Sequence, residues 1–170
     1  FVEPMRAVIR SRPLIGVSDL MNAVLDRMPY KKGVTSADTS AAQSFAAGVG
    51  VCQDHTHVFI AACRALGVPA RYVSGYAYSP DREVVASHAW AEAWLPRARG
   101  GAGAWVGFDV THQRLAGPEL CRLAVGRDIV PVGPPLTWNA GTTAAIYGGV
   151  LTDSLTWPDA GRTAGKVVVF

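Results

Sequence analysis

The segment 51–66 constrains the fold most, because its apolar residues repeat at helical spacing and a Gly-Val-Pro sequence at 67–69 ends the pattern. The next residues, 70–78, alternate between the two faces as a strand does. Two more strands are predicted over 87–95 and 104–110, joined by a turn rich in Pro, Arg and Gly. A main helix followed by a run of strands predicts an α+β fold with an antiparallel sheet, rather than an alternating βαβ fold.

The rest of the chain gives weaker signals. Ser18 is predicted to cap a short amphipathic helix that Pro29 stops. The remaining segments are assigned from composition: extended or irregular chain at 1–17, a loop at 30–49, a short helix at 118–125, irregular chain at 126–141, and strands at 142–151 and 163–170. With 170 residues, the chain is expected to form a single catalytic domain over 1–170. Because it opens with Phe1 and no initiator methionine, we expect it to be a fragment of a longer protein.

Composition excludes several classes of protein. Apolar residues make up 49% and charged residues 17% of the chain, which is typical of a globular domain. No apolar run approaches the roughly 20 residues of a membrane span, so no membrane partner is expected. The net charge is +3, but the arginines are scattered, so no nucleic-acid partner is expected either. An odd number of cysteines, three, argues against a disulfide framework and favours a reducing, cytoplasmic location.

Three residue types suggest nucleophilic catalysis. Cys52 falls in the first turn of the predicted helix, where unpaired N–H groups and the positive end of the helix dipole stabilise a thiolate. On the strand at 87–95, alternation puts His88 and Trp90 on one face. On the strand at 104–110, Trp105 and Asp109 share a face. A buried packing role is the alternative for the cysteine.

The pairing of these two strands decides whether His88 and Asp109 meet. A hairpin centred on the Arg99-Gly100 turn sets Trp90 opposite Asp109, with His88 as a diagonal neighbour on the same face. A slip of one residue would separate them. A thiol, an imidazole and a carboxylate in reach of one another can act as nucleophile, proton shuttle and orienting group. A purely structural His–Asp pair is the alternative.

Four blocks of sequence resemble the core of the bacterial transglutaminase-like superfamily, whose members are often described as cysteine proteases. The blocks are Gly50-Val51-Cys52-Gln53-Asp54, the run from Ala61 to Tyr76, Ser87-His88-Ala89-Trp90-Ala91-Glu92-Ala93-Trp94, and Trp105-Val106-Gly107-Phe108-Asp109-Val110-Thr111. The resemblance extends from about residue 39 to residue 130. It implies a papain-like fold in which the helix that bears the nucleophile packs on an antiparallel sheet.

The resemblance also implies roles and context. Cys52 would be the nucleophile, His88 the base and acid, and Asp109 the orienting carboxylate. Members commonly begin with a separate β-rich domain, which is expected to precede this segment. The family often has proline after the aspartate, whereas this chain has Val110, which leaves the aspartate side chain unchanged.

Other polar residues near the nucleophile have several possible roles. The oxyanion hole is expected to use the Cys52 backbone N–H and one further donor, with Gln43, Ser44 and Gln53 as alternatives. His55 is a candidate to border the cleft, although a structural role is favoured for it. A structural role is also favoured for Asp54, which could cap or brace the helix start.

Metal chemistry and the tryptophans complete the sequence predictions. Cys52, His55 and His57 cannot converge from one helix, and no calcium-binding loop is present in the sequence, so neither a metal nor another cofactor is expected. Trp90 is a candidate cleft residue that could shield the His–Asp hydrogen bond from water. Core packing is expected for two of the three tryptophans on the hairpin face, which are Trp90, Trp94 and Trp105.

These residues predict an acyl-transfer enzyme that works through a thioester. The donor would be an amide, either a peptide bond or a glutamine side chain, in a peptide or protein substrate. The acceptor would be water or an amine, with hydrolysis favoured because no acceptor-binding feature can be read from the chain. Substrate specificity is expected to lie in the loops at 30–49, 79–86 and 126–141. The alternative is a non-catalytic binding or structural domain with the same fold.

Overall fold

A computed structural model describes residues 1–36, 38–79, 84–97, 101–129 and 166–168. Its helical elements are a 3₁₀ turn at Glu3–Met5, α1 Arg6–Ser11, α2 Pro13–Arg27, α3 Ala41–Ala47 and α4 Cys52–Ala65. Its strands are β1 Ala70–Ser79, β2 Val84–Leu95, β3 Ala104–Asp109, β4 Arg114–Leu115, β5 Leu120–Gly126 and β6 Lys166–Val168. Five strands form a sheet in the order β4-β3-β2-β1-β5 with antiparallel neighbours, and β6 pairs in parallel with β2. The predicted α+β fold with an antiparallel sheet is confirmed.

Residues 3–11 and 13–27 are helical, so the prediction of irregular chain over 1–17 is wrong. Pro4 and Pro13 lie in the first turns of helical elements, where proline needs no intrahelical N–H partner. Gly16 lies where α1 and α2 touch, and a Cβ there would approach the Ile9 backbone nitrogen to 2.6 Å. The two prolines therefore begin helical elements, and the glycine allows two of them to pack. Ser18 lies inside α2 and does not cap it, although the helix does end before Pro29.

Two other segments differ from the predictions. The expected loop at 30–49 contains α3, which begins with a capping box between Ser40 and Gln43 and ends at Gly48 with a positive φ of 68°. The predicted helix at 118–125 is instead strand β5, because it forms a ladder with β1. The predicted strand at 142–151 lies outside the described residues, and of 163–170 only β6 is described.

The core joins α2, α4 and one face of the sheet. Val17, Leu20 and Val24 of α2 are fully buried, as are Phe59 of α4 and Phe108 of β3. The sheet contributes small side chains to the same cluster, namely Ala89, Ala91 and Ala93 of β2. Small side chains at these positions let α4 lie close to the sheet. Among the described helices, none has the length and apolar character needed to cross a bilayer.

Candidate active site

The start of α4 is held by the Asp54 side chain. Its Oδ2 accepts hydrogen bonds from the Val51 backbone N–H at 2.8 Å and from the Thr35 hydroxyl at 2.6 Å. The prediction that Asp54 braces the helix start is confirmed. Cys52 is the first residue of the helix and is half-buried. Its position in the first turn, at the positive end of the helix dipole, suits a sulfur anion.

The hairpin of β2 and β3 has the predicted register. Ala91 pairs with Phe108 and Leu95 with Ala104, which continues to Trp90 opposite Asp109. The ladder stops at the Ala91–Phe108 pair, so His88 and Asp109 lie just beyond it, where the two strands begin to separate. There the His88 Nε2 and the Asp109 Oδ1 are 2.8 Å apart, and both side chains are buried.

The electrostatics of this pair favour a charged imidazole. Burial disfavours the His88 imidazolium, but hydrogen bonds and charge from Asp109 and Cys52 outweigh it and raise the pKa of His88 to about 9. Burial also opposes the Asp109 carboxylate, but hydrogen bonds from His112 and His88 hold the pKa of Asp109 well below its usual range. Because Nε2 is bonded to Asp109, Nδ1 is the nitrogen that remains for the Cys52 thiol.

The raised pKa of His88 predicts a loss of stability at alkaline pH. An unfolded imidazole titrates near about 6.5, so the stabilisation is complete below that pH and is lost as the pH rises through about 9. The loss should amount to at most about 3 kcal/mol of unfolding free energy. Chemical denaturation at about pH 6.5 and about pH 9.5 measures it. His88→Gln should show a smaller decrease between those two conditions, and equal decreases in both proteins would contradict the assignment.

His55 has a structural position rather than a place along an open cleft. Its ring is fully buried, with Nε2 2.8 Å from the Met28 carbonyl oxygen and Nδ1 3.0 Å from the Thr111 hydroxyl. Because a carbonyl can only accept, Nε2 carries the proton and Nδ1 accepts from the hydroxyl. Burial lowers the pKa of His55, which keeps the ring neutral. The ring thus joins the end of α2 to the residues that follow Asp109.

The three hairpin tryptophans differ in burial. Trp90 is 2% exposed, and its ring lies parallel to that of His88, with centroids 6.1 Å apart. That it shields the His–Asp hydrogen bond from water remains a prediction. The expectation that two of the three pack in the core is wrong, because Trp94 and Trp105 are each 38% exposed. These two rings contact each other edge to face, and the Arg71 guanidinium lies 4.0 Å from the Trp105 ring centroid.

The predicted oxyanion donors occupy different places. The Gln43 side-chain oxygen accepts hydrogen bonds from Ser40 in the cap of α3. The buried Ser44 hydroxyl donates to the Ala41 carbonyl, so that donor is already engaged. Gln53, in the first turn of α4, remains a predicted donor, as does the Cys52 backbone N–H.

Two residues near the site were not predicted from the sequence. His112 donates to the second oxygen of Asp109 at 2.8 Å, and a histidine three residues after the aspartate was the available signal. Tyr30 forms a parallel bridge with Gly50, which sets it beside the start of α4. Burial and the neighbouring Cys52 raise the pKa of Tyr30. Neither position follows from periodicity, because both depend on turns between elements.

Within the part of the chain that the structure describes, one group of side chains has the spacing of a metal site. His88, Asp109 and His112 offer ligand atoms within 4.8 Å of one another. Both imidazoles, however, are at hydrogen-bond distance from the carboxylate, 2.8 Å in each case. Two N–H donors on one carboxylate account for this geometry without an ion.

This fold and this constellation define a class: a papain-like α+β domain with a cysteine at a helix start facing a histidine–aspartate pair. The chain belongs to the transglutaminase-like superfamily, whose family model matches residues 9–110. Uncharacterized proteins of Mycobacterium bovis and Mycobacterium tuberculosis are each 36% identical to it over 133 residues. The matched region is 74% of this chain, which spans only 42% of the length of each of these relatives.

Solved structures share the fold. A protein of Cytophaga hutchinsonii that has been proposed to be a cysteine protease is 32% identical, with a TM-score of 0.57 over 78% of this chain and 40% of that protein. Legionella pneumophila LapG matches with a TM-score of 0.52 at 16% identity, over 72% of this chain and 70% of LapG. At that identity, the second likeness is one of fold alone.

Proposed function

We propose that this domain cleaves or transfers an amide through a thioester on Cys52, and that water is the usual acceptor. The observation that carries the proposal is the buried hydrogen bond of 2.8 Å between His88 Nε2 and Asp109 Oδ1, with Cys52 interacting with the same imidazole. The superfamily and the 32% identical Cytophaga protein support a cysteine-nucleophile enzyme. The substrate is proposed to be a peptide bond or a glutamine side chain.

The residues supply each step of this chemistry. The Cys52 sulfur, as a thiolate paired with the His88 imidazolium, attacks the amide carbon, and the carbonyl oxygen becomes an oxyanion. The Cys52 backbone N–H is the first proposed donor to that oxyanion. The His88 Nδ1–H then protonates the leaving nitrogen, so the C–N bond breaks and the thioester remains. Neutral His88 next takes a proton from water, which attacks the thioester and releases the acid and the thiolate.

A test of the nucleophile needs no substrate. At about pH 6, iodoacetamide should label Cys52 much faster than the other two cysteines. Cys63 is buried, and burial raises its pKa to about 12, whereas Cys121 is exposed and serves as an internal reference. Peptide mapping by mass spectrometry measures the three rates. Rapid labelling at this pH that persists unchanged in Cys52→Ala would contradict the proposal.

The reaction class requires a second experiment. Peptides and glutamine–amine pairs should be screened for new carboxylates, released ammonia and new amide bonds. Carboxylates without new amides would support hydrolysis, and amine incorporation would support transamidation. The competing proposal, a non-catalytic binding or structural domain, predicts a Cys52 no more reactive than Cys121.

A further inference from the structure

The Asp109 carboxylate has two imidazole partners, and only one of them belongs to the proposed triad. Oδ1 is 2.8 Å from His88 Nε2, and Oδ2 is 2.8 Å from His112 Nδ1. Asp109 is fully buried, whereas the His112 side chain is 49% exposed. The two rings are near each other, with centroids 5.1 Å apart. A buried carboxylate is therefore held between a buried ring and a ring at the surface.

The backbone after β3 sets the second ring in this place. The chain turns over 110–113, and the Gln113 N–H donates to the Val110 carbonyl at 3.3 Å. Gln113 closes the turn with a positive φ of 50°. Within the turn, the Thr111 hydroxyl is fixed by His55. The turn brings the His112 ring back to Asp109, three residues earlier in the chain. The backbone conformation of the turn therefore sets the contact between His112 and Oδ2.

The other cation near Oδ2 is a weaker partner. Arg114 Nε is 3.5 Å from this oxygen, which is long for a hydrogen bond, and the same guanidinium pairs with Glu119 at 3.0 Å. Without His112, this distant contact is the one that the described residues would leave to the buried Oδ2. An unpaired buried acceptor is costly, and the carboxylate could rotate toward a new donor and away from His88.

We propose that His112 is a positioning residue: by holding Oδ2, it fixes the carboxylate so that Oδ1 faces His88. This proposal rests on the proposed function, because the positioning of Asp109 matters for catalysis only if His88 acts on Cys52. His112 is not proposed to touch substrate or the thiol. Its effect passes through Asp109. Burial raises the pKa of that carboxyl, and the hydrogen bond from His112 helps to lower it.

Two substitutions separate the hydrogen bond from the bulk of the ring. His112→Leu keeps a side chain of comparable bulk at a half-exposed position but removes the donor. His112→Asn keeps an N–H close to the place of Nδ1. The rate of Cys52 labelling at about pH 6 should fall about 10-fold in the leucine variant, and the asparagine variant should recover most of it. Arg114→Gln, the matched control at the same oxygen, should change the rate little.

A proton NMR measurement tests the same role without relying on the reactivity of Cys52. The His88 Nε2–H, bonded to a buried carboxylate, should give a sharp downfield proton signal in the wild type and in His112→Asn. It should broaden or move upfield in His112→Leu, which should also melt a few degrees earlier than the wild type, whereas His112→Asn should melt close to it.

The outcomes are distinguishable from failure of the proposed function. An unreactive Cys52 in the wild type would contradict the proposed function. The His88 proton signal would still test whether His112 positions Asp109. A leucine variant with wild-type labelling and an unchanged signal would overturn the positioning role. Equal losses of labelling and melting temperature in the leucine and asparagine variants would also overturn it, since they would mark His112 as structural only.

Discussion

Replacing Cys52 with alanine should reduce amide turnover to the uncatalysed background, a loss of at least about 10⁴-fold. The methyl group cannot form a thioester, so the reaction would have to proceed by direct attack of water. Binding should survive, because the proposed oxyanion N–H belongs to the backbone of the same residue and is unchanged. The variant should therefore lower kcat and leave substrate affinity nearly intact.

The measurement compares kcat and substrate affinity on whichever amide the screen identifies. Cys121→Ala is the matched control, because it removes an exposed thiol on β5 and should retain full turnover. Cys52→Ala with more than about a tenth of wild-type turnover would exclude the thioester route. His88→Ala should approach the same low rate, because the proposed mechanism assigns deprotonation of the Cys52 thiol to His88.

Replacing Asp109 with asparagine should lower turnover by about 10- to 1,000-fold. The amide keeps the shape of the side chain and one acceptor, but it removes the charge that stabilises the His88 imidazolium. It also allows the imidazole to adopt the wrong tautomer, because the amide can present a donor to Nε2. The loss should be smaller than in a serine enzyme, since a thiolate and an imidazolium partly stabilise each other.

Three measurements define the outcome of this substitution. Turnover should fall, its alkaline limit should move to lower pH as the imidazolium weakens, and the variant should melt earlier by no more than the roughly 10 °C that loss of the His88 stabilisation explains. A variant that melts far earlier would identify Asp109 as a structural acceptor for His112 and His88. Wild-type turnover in the asparagine variant would remove Asp109 from the mechanism.

The parts of the fold that could be predicted have a regular period. α4 was expected over 51–66 and spans Cys52–Ala65, and the strands β1 to β3 lie within a few residues of their predicted bounds. The hairpin register followed from symmetry about its turn, and it correctly placed His88 and Asp109 together. These features depend on local alternation and spacing, which a single sequence carries.

The parts that were missed have three different causes. Strand β5 follows a proline and looks helical by itself, but its pairing with β1 overrides that preference. The prolines near the start seemed to interrupt structure, but proline is also favoured in the first turn of a helix. His112 escaped notice because a turn with a positive φ at Gln113, rather than a strand or helix period, brings it back to Asp109.

The buried ring of His55 has a consequence for how this domain responds to acid. It connects the helix that carries Cys52 to the carbonyl of Met28 and to Thr111, two residues beyond Asp109. Burial lowers the pKa of His55, so the native state resists a proton that the unfolded chain accepts, and acid favours unfolding as the pH falls below about 6.5. Acid should then separate the nucleophile and its carboxylate in one cooperative event, without a partly assembled site that still reacts.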